Sequence, residues 1–254
     1  MLVIPAIDLK DGQAVRLFKG DYNQKTVYSD HPEELAQTFE KAGAIYLHVV
    51  DLDGAKDGFA KNLETIKKIR NSTKMKIELG GGIRNLKTVQ LYLDKVGIDR
   101  VILGTAALKD PEFLKEALRQ YGSEKIVVGV DVKNGFVSTA GWLETSQMPY
   151  IEFIQYLESI GVGYIVATDI SKDGTLIGPN FEMYDEIAKN SQIQFVVSGG
   201  IKDFDNIQKV AQKDYYACIV GKAYYEKKID RRSFNNDGSS CHMYHRFCFY
   251  RPLQ

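Results

Sequence analysis

Two aspartates occupy equivalent positions in two similar stretches of the chain. Asp8 ends the apolar run of residues 3–7, and Asp131 ends the apolar run of residues 127–130. Two carboxylates on opposite sides of a bound substrate suit the roles of general base and general acid, provided that the surroundings keep one of them protonated. The alternative is that both only accept hydrogen bonds from loop backbone, and the repetition of the pair favours catalysis.

Glycines follow four other apolar runs and form two groups. The first group contains Gly81, Gly82 and Gly104, and the second contains Gly199, Gly200 and Gly221. Because glycine lets the backbone approach an anion and the next helix N-terminus can bind phosphate, each group predicts one phosphate site. A single group would fit a tight turn equally well, but the repetition favours phosphate. We expect a long ligand with a phosphate at each end.

Eight short apolar runs, rich in β-branched residues, alternate with segments of helical spacing. The runs are residues 2–7, 44–50, 75–79, 101–103, 126–130, 164–167, 194–197 and 217–220. Their nearly continuous apolar character is typical of parallel strands covered on both faces. Eight strand–helix units in 254 residues match the size of an α/β TIM barrel. A doubly wound open sheet is the alternative, and it predicts no symmetry.

The sequence also contains an internal repeat. Its aligned pairs are Asp8 with Asp131 at a shift of 123 residues, Asp51 with Asp169 at 118, Gly81 with Gly199 at 118, and Gly104 with Gly221 at 117. This register predicts two duplicated (βα)4 halves, about residues 1–123 and 124–230, that close into one barrel domain. Strands 1 and 5 of such a barrel face each other, so Asp8 and Asp131 are expected to flank its mouth.

Composition argues against several classes of function. The chain has 33 basic and 33 acidic residues, and this zero net charge argues against a nucleic-acid-binding or membrane-binding surface. No apolar run approaches the ~18 residues needed to cross a bilayer, and the first residues lack the pattern of a signal peptide. Three cysteines are too few for a disulfide framework. We expect a cytoplasmic monomer that binds a small molecule.

Several motifs resemble those of a known family. They are VIPAIDLKDG at residues 3–12, Arg16-Leu17, Lys19-Gly20-Asp21, VVDLDGA at residues 49–55, ELGGGIR at residues 78–84, Gly141-Trp142 and TDISKDGT at residues 168–175. Over residues 1–230 the chain is similar to the phosphoribosylformimino-aminoimidazole carboxamide ribotide isomerases of histidine biosynthesis. The sister cyclase of that pathway shares the duplicated barrel, but it usually has Cys-Leu-Asp in place of Ala6-Ile7-Asp8 and lacks the Gly141-Trp142 loop.

The resemblance implies an Amadori rearrangement of an aminoaldose to an aminoketose, with no cofactor. It implies that Asp8 is the general base that removes the C2 proton, that Asp131 is the general acid that opens the ribose ring, and that Thr168 orients the sugar. The implied substrate carries a phosphate at both ends. The other residues expected to bind substrate or phosphate are Arg16, Lys19, Gly81, Gly82, Arg84, Gly104, Thr105, Trp142, Asp169, Ser198, Gly199, Gly200, Gly221 and Lys222.

Alternatives remain open at this point. A dual-specificity isomerase would also accept phosphoribosylanthranilate, because that distinction depends on the arrangement of loops. A non-catalytic barrel would bind phosphorylated ligands without converting them. His48, inside the apolar run of residues 47–50, fits a hydrogen-bonded core histidine as well as a substrate contact.

Two segments are too long to be simple connectors, residues 9–30 and residues 133–149. Both contain glycines and groups able to close over a ligand, Arg16 and Lys19 in the first and Trp142 in the second. The alternative is a mobile surface loop. We predict lids that exclude water, with Trp142 stacked on an imidazole ring of the ligand.

The last 24 residues, 231–254, differ in composition from the preceding chain and contain no Ala, Val, Ile, Lys or Glu. The family resemblance ends before them, where a final helix is expected to cover strands 8 and 1. We predict an irregular tail, with the last helix missing or replaced. Cys241, His242, His245 and Cys248 have the types of zinc ligands but not a usual spacing, so no metal site is predicted.

Overall fold

The computed structural model describes residues 1–18, 21–139, 141–142 and 144–234 of the chain. Twelve strands form one sheet: β1 (Leu2–Lys10), β2 (Gln13–Phe18), β3 (Asp21–Ser29), β4 (Tyr46–Asp51), β5 (Lys76–Gly80), β6 (Arg100–Leu103), β7 (Ile126–Lys133), β8 (Phe136–Thr139), β9 (Glu144–Pro149), β10 (Tyr164–Asp169), β11 (Gln194–Ser198) and β12 (Ala217–Val220). Eight of them are parallel, in the order β10-β11-β12-β1-β4-β5-β6-β7. Pairing of β7 with β10 closes the barrel, which excludes the open sheet.

Helices surround this barrel. They are α1 (Pro32–Lys41), α2 (Leu52–Asp57), α3 (Leu63–Ser72), α4 (Leu86–Gln90) with the π-helical turn Leu91–Val96, α5 (Thr105–Lys109), α6 (Pro111–Tyr121), α7 (Tyr150–Ser159), α8 (Phe181–Asn190), α9 (Phe204–Gln212) and α10 (Lys222–Tyr225). Their start signals are visible in the sequence. Asp110 accepts a hydrogen bond from the backbone N–H of Phe113, and Pro111 presets the first turn of α6. The predicted TIM barrel is therefore confirmed.

Alternation along each strand divides the apolar core into two layers. On β1, Ile4 and Ala6 belong to a cluster inside the barrel, whereas Val3 and Ile7 belong to the layer between the barrel and its helices. This second layer explains why the strands are nearly continuously apolar, since both faces are covered. At the amino-terminal end of the barrel, the guanidinium carbon of Arg100 lies 4.2 Å from the centroid of the Tyr164 ring. No helix among the described residues is long and apolar enough to span a membrane.

The two long segments between barrel elements are antiparallel hairpins. β2 pairs with β1 and with β3, and in the second half β8 pairs with β7 and with β9. Most of both segments is therefore regular structure that continues from β1 and β7, which the sequence analysis did not predict. The duplication thus includes a hairpin at the mouth of each half.

A short α10 and a 3₁₀ turn, Arg231–Phe234, follow the last barrel strand. Phe234 is completely buried, with its ring centroid 5.3 Å from that of Phe39 and 5.4 Å from that of Tyr224. One aromatic residue of the divergent segment therefore covers part of α1. The predictions for residues 235–254, including the Cys/His group, lie outside the described residues.

Candidate active site

A cavity of about 600 Å³ opens at the carboxyl ends of the barrel strands. Its lining comes from both halves and includes Asp8 on β1, Asp131 on β7 and Asp173 in the loop after β10. Apolar side chains such as Val166 and Ile219 line it as well. The cavity brings three carboxyl groups together at the end of the barrel where the two halves meet.

Asp8 is paired with Arg16, which β2 carries back over the end of β1. Nη1 of Arg16 donates to Oδ2 of Asp8 over 2.5 Å, and Nη2 donates to the carbonyl oxygen of Ala6 over 3.1 Å. The ring centroid of Tyr225 lies 5.5 Å from the guanidinium carbon. Nε of Arg16 is buried and has no hydrogen-bond partner in the described part of the chain. Arg16, which was predicted to close over a ligand, is thus held inside the cavity.

Asp131 is held by the second hairpin in a similar way. Nε1 of Trp142 donates to Oδ2 of Asp131 over 2.8 Å. Burial raises the pKa of Asp131, against hydrogen bonds from Trp142 and Thr168 and attraction to His48 that lower it. The net increase favours the protonated carboxyl, which is the form that a general acid needs. Each hairpin therefore places one side chain on the carboxylate of its own half.

Asp173 is a cavity residue that sequence reasoning missed. Burial raises its pKa to about 6; attraction to Arg16 lowers the pKa, and repulsion by Asp8 and Asp131 raises it further. At that pKa the carboxyl exchanges its proton near neutral pH. The signal available in the sequence was its alignment with Asp53 in the repeat, since each residue precedes a glycine, Gly174 or Gly54.

Two glycine turns close the strand ends of β5 and β11. Gly81 has a φ of +106°, and a Cβ there would strike the carbonyl oxygen of Asp51. Gly199 has a φ of +89°, and a Cβ there would lie 3.0 Å from the carbonyl oxygen of Asp169. Both glycines also line the cavity. A tight turn and a place in the cavity lining therefore occur together at Gly81 and Gly199.

The glycines after β6 and β12 differ in what surrounds them. Gly104 has open space on its Cβ side, with nothing within 4 Å. A Cβ at Gly221 would collide with the guanidinium of Arg16. Gly104 therefore has open space beside it, whereas Gly221 already has the partly buried cation of Arg16 beside it.

Two further cations of the cavity lining donate to backbone carbonyls. Nη2 of Arg84 donates to the carbonyl oxygen of Ala55 over 2.8 Å, and Nζ of Lys222 donates to that of Gly174 over 2.8 Å. Ala55 lies in α2, which follows β4, and Gly174 lies in the loop after β10. Each half therefore contributes a cavity-lining cation that is held by the backbone after its second strand.

Most of the residues predicted for the site line this cavity. They are Asp8, Arg16, Gly81, Gly82, Arg84, Gly104, Thr105, Asp131, Trp142, Thr168, Ser198, Gly199, Gly200, Gly221 and Lys222. Asp169 does not: its carboxylate accepts from the backbone N–H and the hydroxyl of Ser171 and from the amide of Asn180, which fixes the loop after β10. In the structure Asp169 therefore holds its own loop, and its contact with substrate stays a prediction. Lys19 lies outside the described residues.

Asn62 and Asn180 are a second pair that sequence reasoning missed. The side-chain amide of Asn62 donates to Asp51 over 2.7 Å, and that of Asn180 donates to Asp169 over the same distance. The two asparagines are 118 residues apart, the same shift that relates Asp51 to Asp169. These hydrogen bonds fix Asp51 and Asp169, whose backbone lies against the turns at Gly81 and Gly199.

The protein is a closed (βα)8 barrel. Its cavity is lined by carboxylates, and glycine turns are duplicated at its mouth. These features define its class, the (βα)8 barrels with two duplicated halves. The model of the family described as "Histidine biosynthesis protein" matches residues 2–230. The chain belongs to this family.

Named relatives are similar over nearly their whole length. A protein of Lactococcus lactis subsp. cremoris is 60% identical over 93% of this chain and 96% of its own. One of Clostridium acetobutylicum is 48% identical over 91% and 95%, and one of Bacillus cytotoxicus is 46% identical over 95% and 100%. All three are named 1-(5-phosphoribosyl)-5-((5-phosphoribosylamino)methylideneamino) imidazole-4-carboxamide isomerase.

Proposed function

We propose that the chain is an aldose–ketose isomerase that acts on the ribotide named for its relatives, 1-(5-phosphoribosyl)-5-((5-phosphoribosylamino)methylideneamino)imidazole-4-carboxamide. The reaction is an Amadori rearrangement, which converts the aminoaldose at one end of this molecule to an aminoketose. The observation that carries the proposal is the pair of carboxylates, Asp8 and Asp131, on strands that face each other across one cavity.

The steps follow from these two groups. Protonation of the ribose ring oxygen by Asp131 breaks its bond to C1, and the nitrogen lone pair forms the C1=N bond of a Schiff base. Removal of the C2 proton by Asp8 then gives an enolamine, whose 2-hydroxyl loses its proton as C1 gains one, and the product is the 2-ketone. Burial, which raises the pKa of Asp131, supports its role as the acid.

The neighbours of the carboxylates support this division of roles. Arg16 donates to Asp8 and stabilises a carboxylate that is ready to accept a proton. Trp142 donates to Asp131, and its position at the mouth allows stacking on the imidazole of the ligand. The pKa of Asp173, raised to about 6, suits a group that returns or removes a proton during the tautomerisation.

The two glycine groups are proposed as the phosphate sites. The first has Gly104 with open space beside it, and Arg84 lines the same cavity; the second has Gly221 with Arg16 against it and Lys222 next in the chain. The helices α5 and α10 begin directly after Gly104 and Gly221, and the positive end of a helix dipole attracts a phosphate. A ligand that fills both sites spans the mouth, which places its central part above the carboxylates.

We further propose that the protein is a cytoplasmic monomer that binds this small molecule and neither nucleic acid nor membrane. One chain supplies both halves of the barrel and every lining residue of the cavity described. The biosynthetic role named for the relatives supports a location with the pool of phosphorylated intermediates.

The proposal is tested by incubating the purified chain with the ribotide and following the aminoketose product by absorbance and mass spectrometry. We expect multiple turnovers without added metal or cofactor. Tight binding of the ribotide with no conversion would contradict the proposal and indicate a binding protein. Phosphoribosylanthranilate serves as a second substrate, and equal turnover of it would replace the single specificity with a dual one.

A further inference from the structure

His48 and Glu78 form a buried pair inside the barrel that the proposed steps do not use. The two residues face each other in the register of β4 and β5. Nδ1 of His48 lies 2.8 Å from Oε1 of Glu78, and Glu78 is only 1% exposed. Arg100 is the register partner of Glu78 on β6, and its guanidinium interacts electrostatically with this carboxylate. The pair is therefore part of the barrel interior, and Arg100 interacts with its carboxylate.

His48 nevertheless belongs to the lining of the main cavity. In the register of β1 and β4, Val50 lies beside Asp8 and His48 lies beside Ala6, so His48 is two residues deeper than the general base. Two residues along a strand correspond to about 7 Å. His48 thus lies at the bottom of the space that a ligand can occupy.

The contact with Glu78 determines how the imidazole is presented. A carboxylate can only accept hydrogen bonds, so it selects the tautomer that has the proton on Nδ1. Nε2 then carries a lone pair. In the part of the chain that the structure describes, Nδ1 is the ring nitrogen with a hydrogen-bond partner, and the ring borders the cavity. An accepting nitrogen in a cavity is suited to a hydroxyl or an N–H and unsuited to a phosphate oxygen.

We propose that His48 positions the substrate by accepting, at Nε2, a hydrogen bond from a hydroxyl of the ribose that is rearranged, and that Glu78 fixes the ring for this contact. The inference rests on the proposed function for the identity of the ligand. A bisphosphate held at both ends of the mouth turns its middle toward the bottom of the cavity. The sugar that reacts between Asp8 and Asp131 is the part that reaches this depth.

The alternative is that His48 has a purely structural role, as a hydrogen-bonded core histidine that supports the barrel. The two roles predict different kinetics. A contact to the reacting sugar aligns its C2 proton with Asp8, so its loss lowers kcat as well as raising KM. Loss of a structural pair lowers the unfolding temperature and the amount of folded protein, and leaves the kcat of the folded fraction unchanged.

The kinetic test compares His48→Phe with His48→Gln. Phenylalanine fills the space without an acceptor, and we expect kcat/KM to fall at least ~100-fold, with part of the loss in kcat. Glutamine offers an amide oxygen as an acceptor, so the kcat/KM of His48→Gln should be about tenfold higher than that of His48→Phe. The unfolding temperature and the active-site concentration are measured for both variants. Variants that keep a wild-type kcat and differ only in stability would overturn the proposal.

A second measurement does not depend on turnover. In ¹⁵N NMR spectra of the histidine side chains, we expect neutral His48 to have its proton on Nδ1, and Glu78→Gln to mix the tautomers. His31, whose side chain is 64% exposed, is the internal control and should be unaffected by that substitution. Adding the ribotide should shift the Nε2 resonance of His48, whereas inorganic phosphate should not.

Failure of the positioning role of His48 can be distinguished from failure of the proposed isomerase function. If the wild-type chain fails to convert the ribotide, the isomerase proposal fails, but a ligand-induced shift of Nε2 still supports the contact. If the chain converts the ribotide and Nε2 neither shifts nor belongs to the expected tautomer, the positioning role is overturned and the isomerase proposal is unaffected.

Discussion

Arg16 joins the first hairpin to Asp8 through a 2.5 Å hydrogen bond from Nη1 to Oδ2. The same side chain lies against Gly221, where a Cβ would collide with it. One cation therefore contacts both the carboxylate of the first strand and the glycine turn of the last. Because a phosphate at Gly221 would compete with Asp8 for this cation, we predict that binding of the substrate and release of Asp8 are coupled at Arg16.

Replacing Arg16 by Gln tests this coupling. The amide keeps a donor but loses the charge and the forked geometry, so we expect kcat/KM to fall about 10- to 100-fold, with a higher KM from the weaker phosphate site. Lys25→Gln is the matched control, because it removes a cation from the same hairpin, where Lys25 donates to Asp11 and Gln13. Equal effects of the two substitutions would show that overall charge, and not the contact with Asp8, matters.

Replacing Asp8 or Asp131 by Asn tests the assignment of base and acid. The substitution nearly conserves shape and removes proton transfer, so turnover should fall at least ~10²-fold while the ligand still binds. Calorimetric titration with the ribotide measures binding, and stopped-flow or end-point assays measure turnover. Near-normal turnover in either variant would contradict the role of that aspartate.

A test of the proposed phosphate sites requires a glycine substitution that changes ligand binding without changing folding. Gly81 and Gly199 are unsuitable, because both have positive φ and a Cβ at either meets backbone. Gly104→Ala is suitable, since its Cβ side is open. We expect the methyl group to weaken ribotide binding about tenfold or more by occupying the space of a phosphate oxygen, with little change in the unfolding midpoint. Unchanged affinity would remove Gly104 from the proposed phosphate site.

Asp173 predicts a dependence of stability on pH. Its pKa is raised from 3.8 to about 6 in the folded chain. A group with a raised folded pKa stabilises the fold while protonated, and that contribution is lost as pH rises from about 4 through about 6. Asp173→Asn removes the cost of ionisation, so above pH 7 the variant should be more stable than the wild type by up to about 2 kcal/mol after allowance for solvent screening.

The same variant should lose activity, because an amide cannot exchange a proton. Chemical denaturation at pH 4 and pH 8 measures the difference in the free energy of unfolding. Asp205→Asn, at an exposed position in the first turn of α9, is the control for the loss of one carboxylate. A wild-type advantage that grows with pH would have the wrong sign and would exclude the raised pKa.

Sequence patterns predicted the barrel because each of its eight strands is a short apolar run with coverage on both faces. They did not predict β3 or β9, whose residues are largely polar and gain strand geometry only by pairing with the neighbouring strand of the hairpin. Periodicity carries no information about such pairing.

Sequence patterns indicated some site residues only weakly. Asp173 stands four residues after the end of β10, in a polar segment that reads as an ordinary turn. Its chemistry comes from burial beside Asp8 and Asp131, which is a tertiary effect. For Asp169, the sequence does not reveal whether a carboxylate at a strand end faces the ligand or holds its own loop. The structure shows that it accepts hydrogen bonds from Ser171 and from Asn180, on the far side of that loop.

Phe234 tests whether the start of the divergent segment contributes to the barrel. Its ring is completely buried against Phe39 and Tyr224. Deletion of a buried aromatic ring removes its transfer free energy and leaves a cavity, so Phe234→Ala should lower the free energy of unfolding by about 3 kcal/mol or more. Phe136→Ala is the control, because Phe136 is 39% exposed and should cost less than about 1 kcal/mol. Urea denaturation of the three proteins measures the difference, and a loss at Phe234 no larger than that at Phe136 would show that this ring does not replace the packing of a final helix.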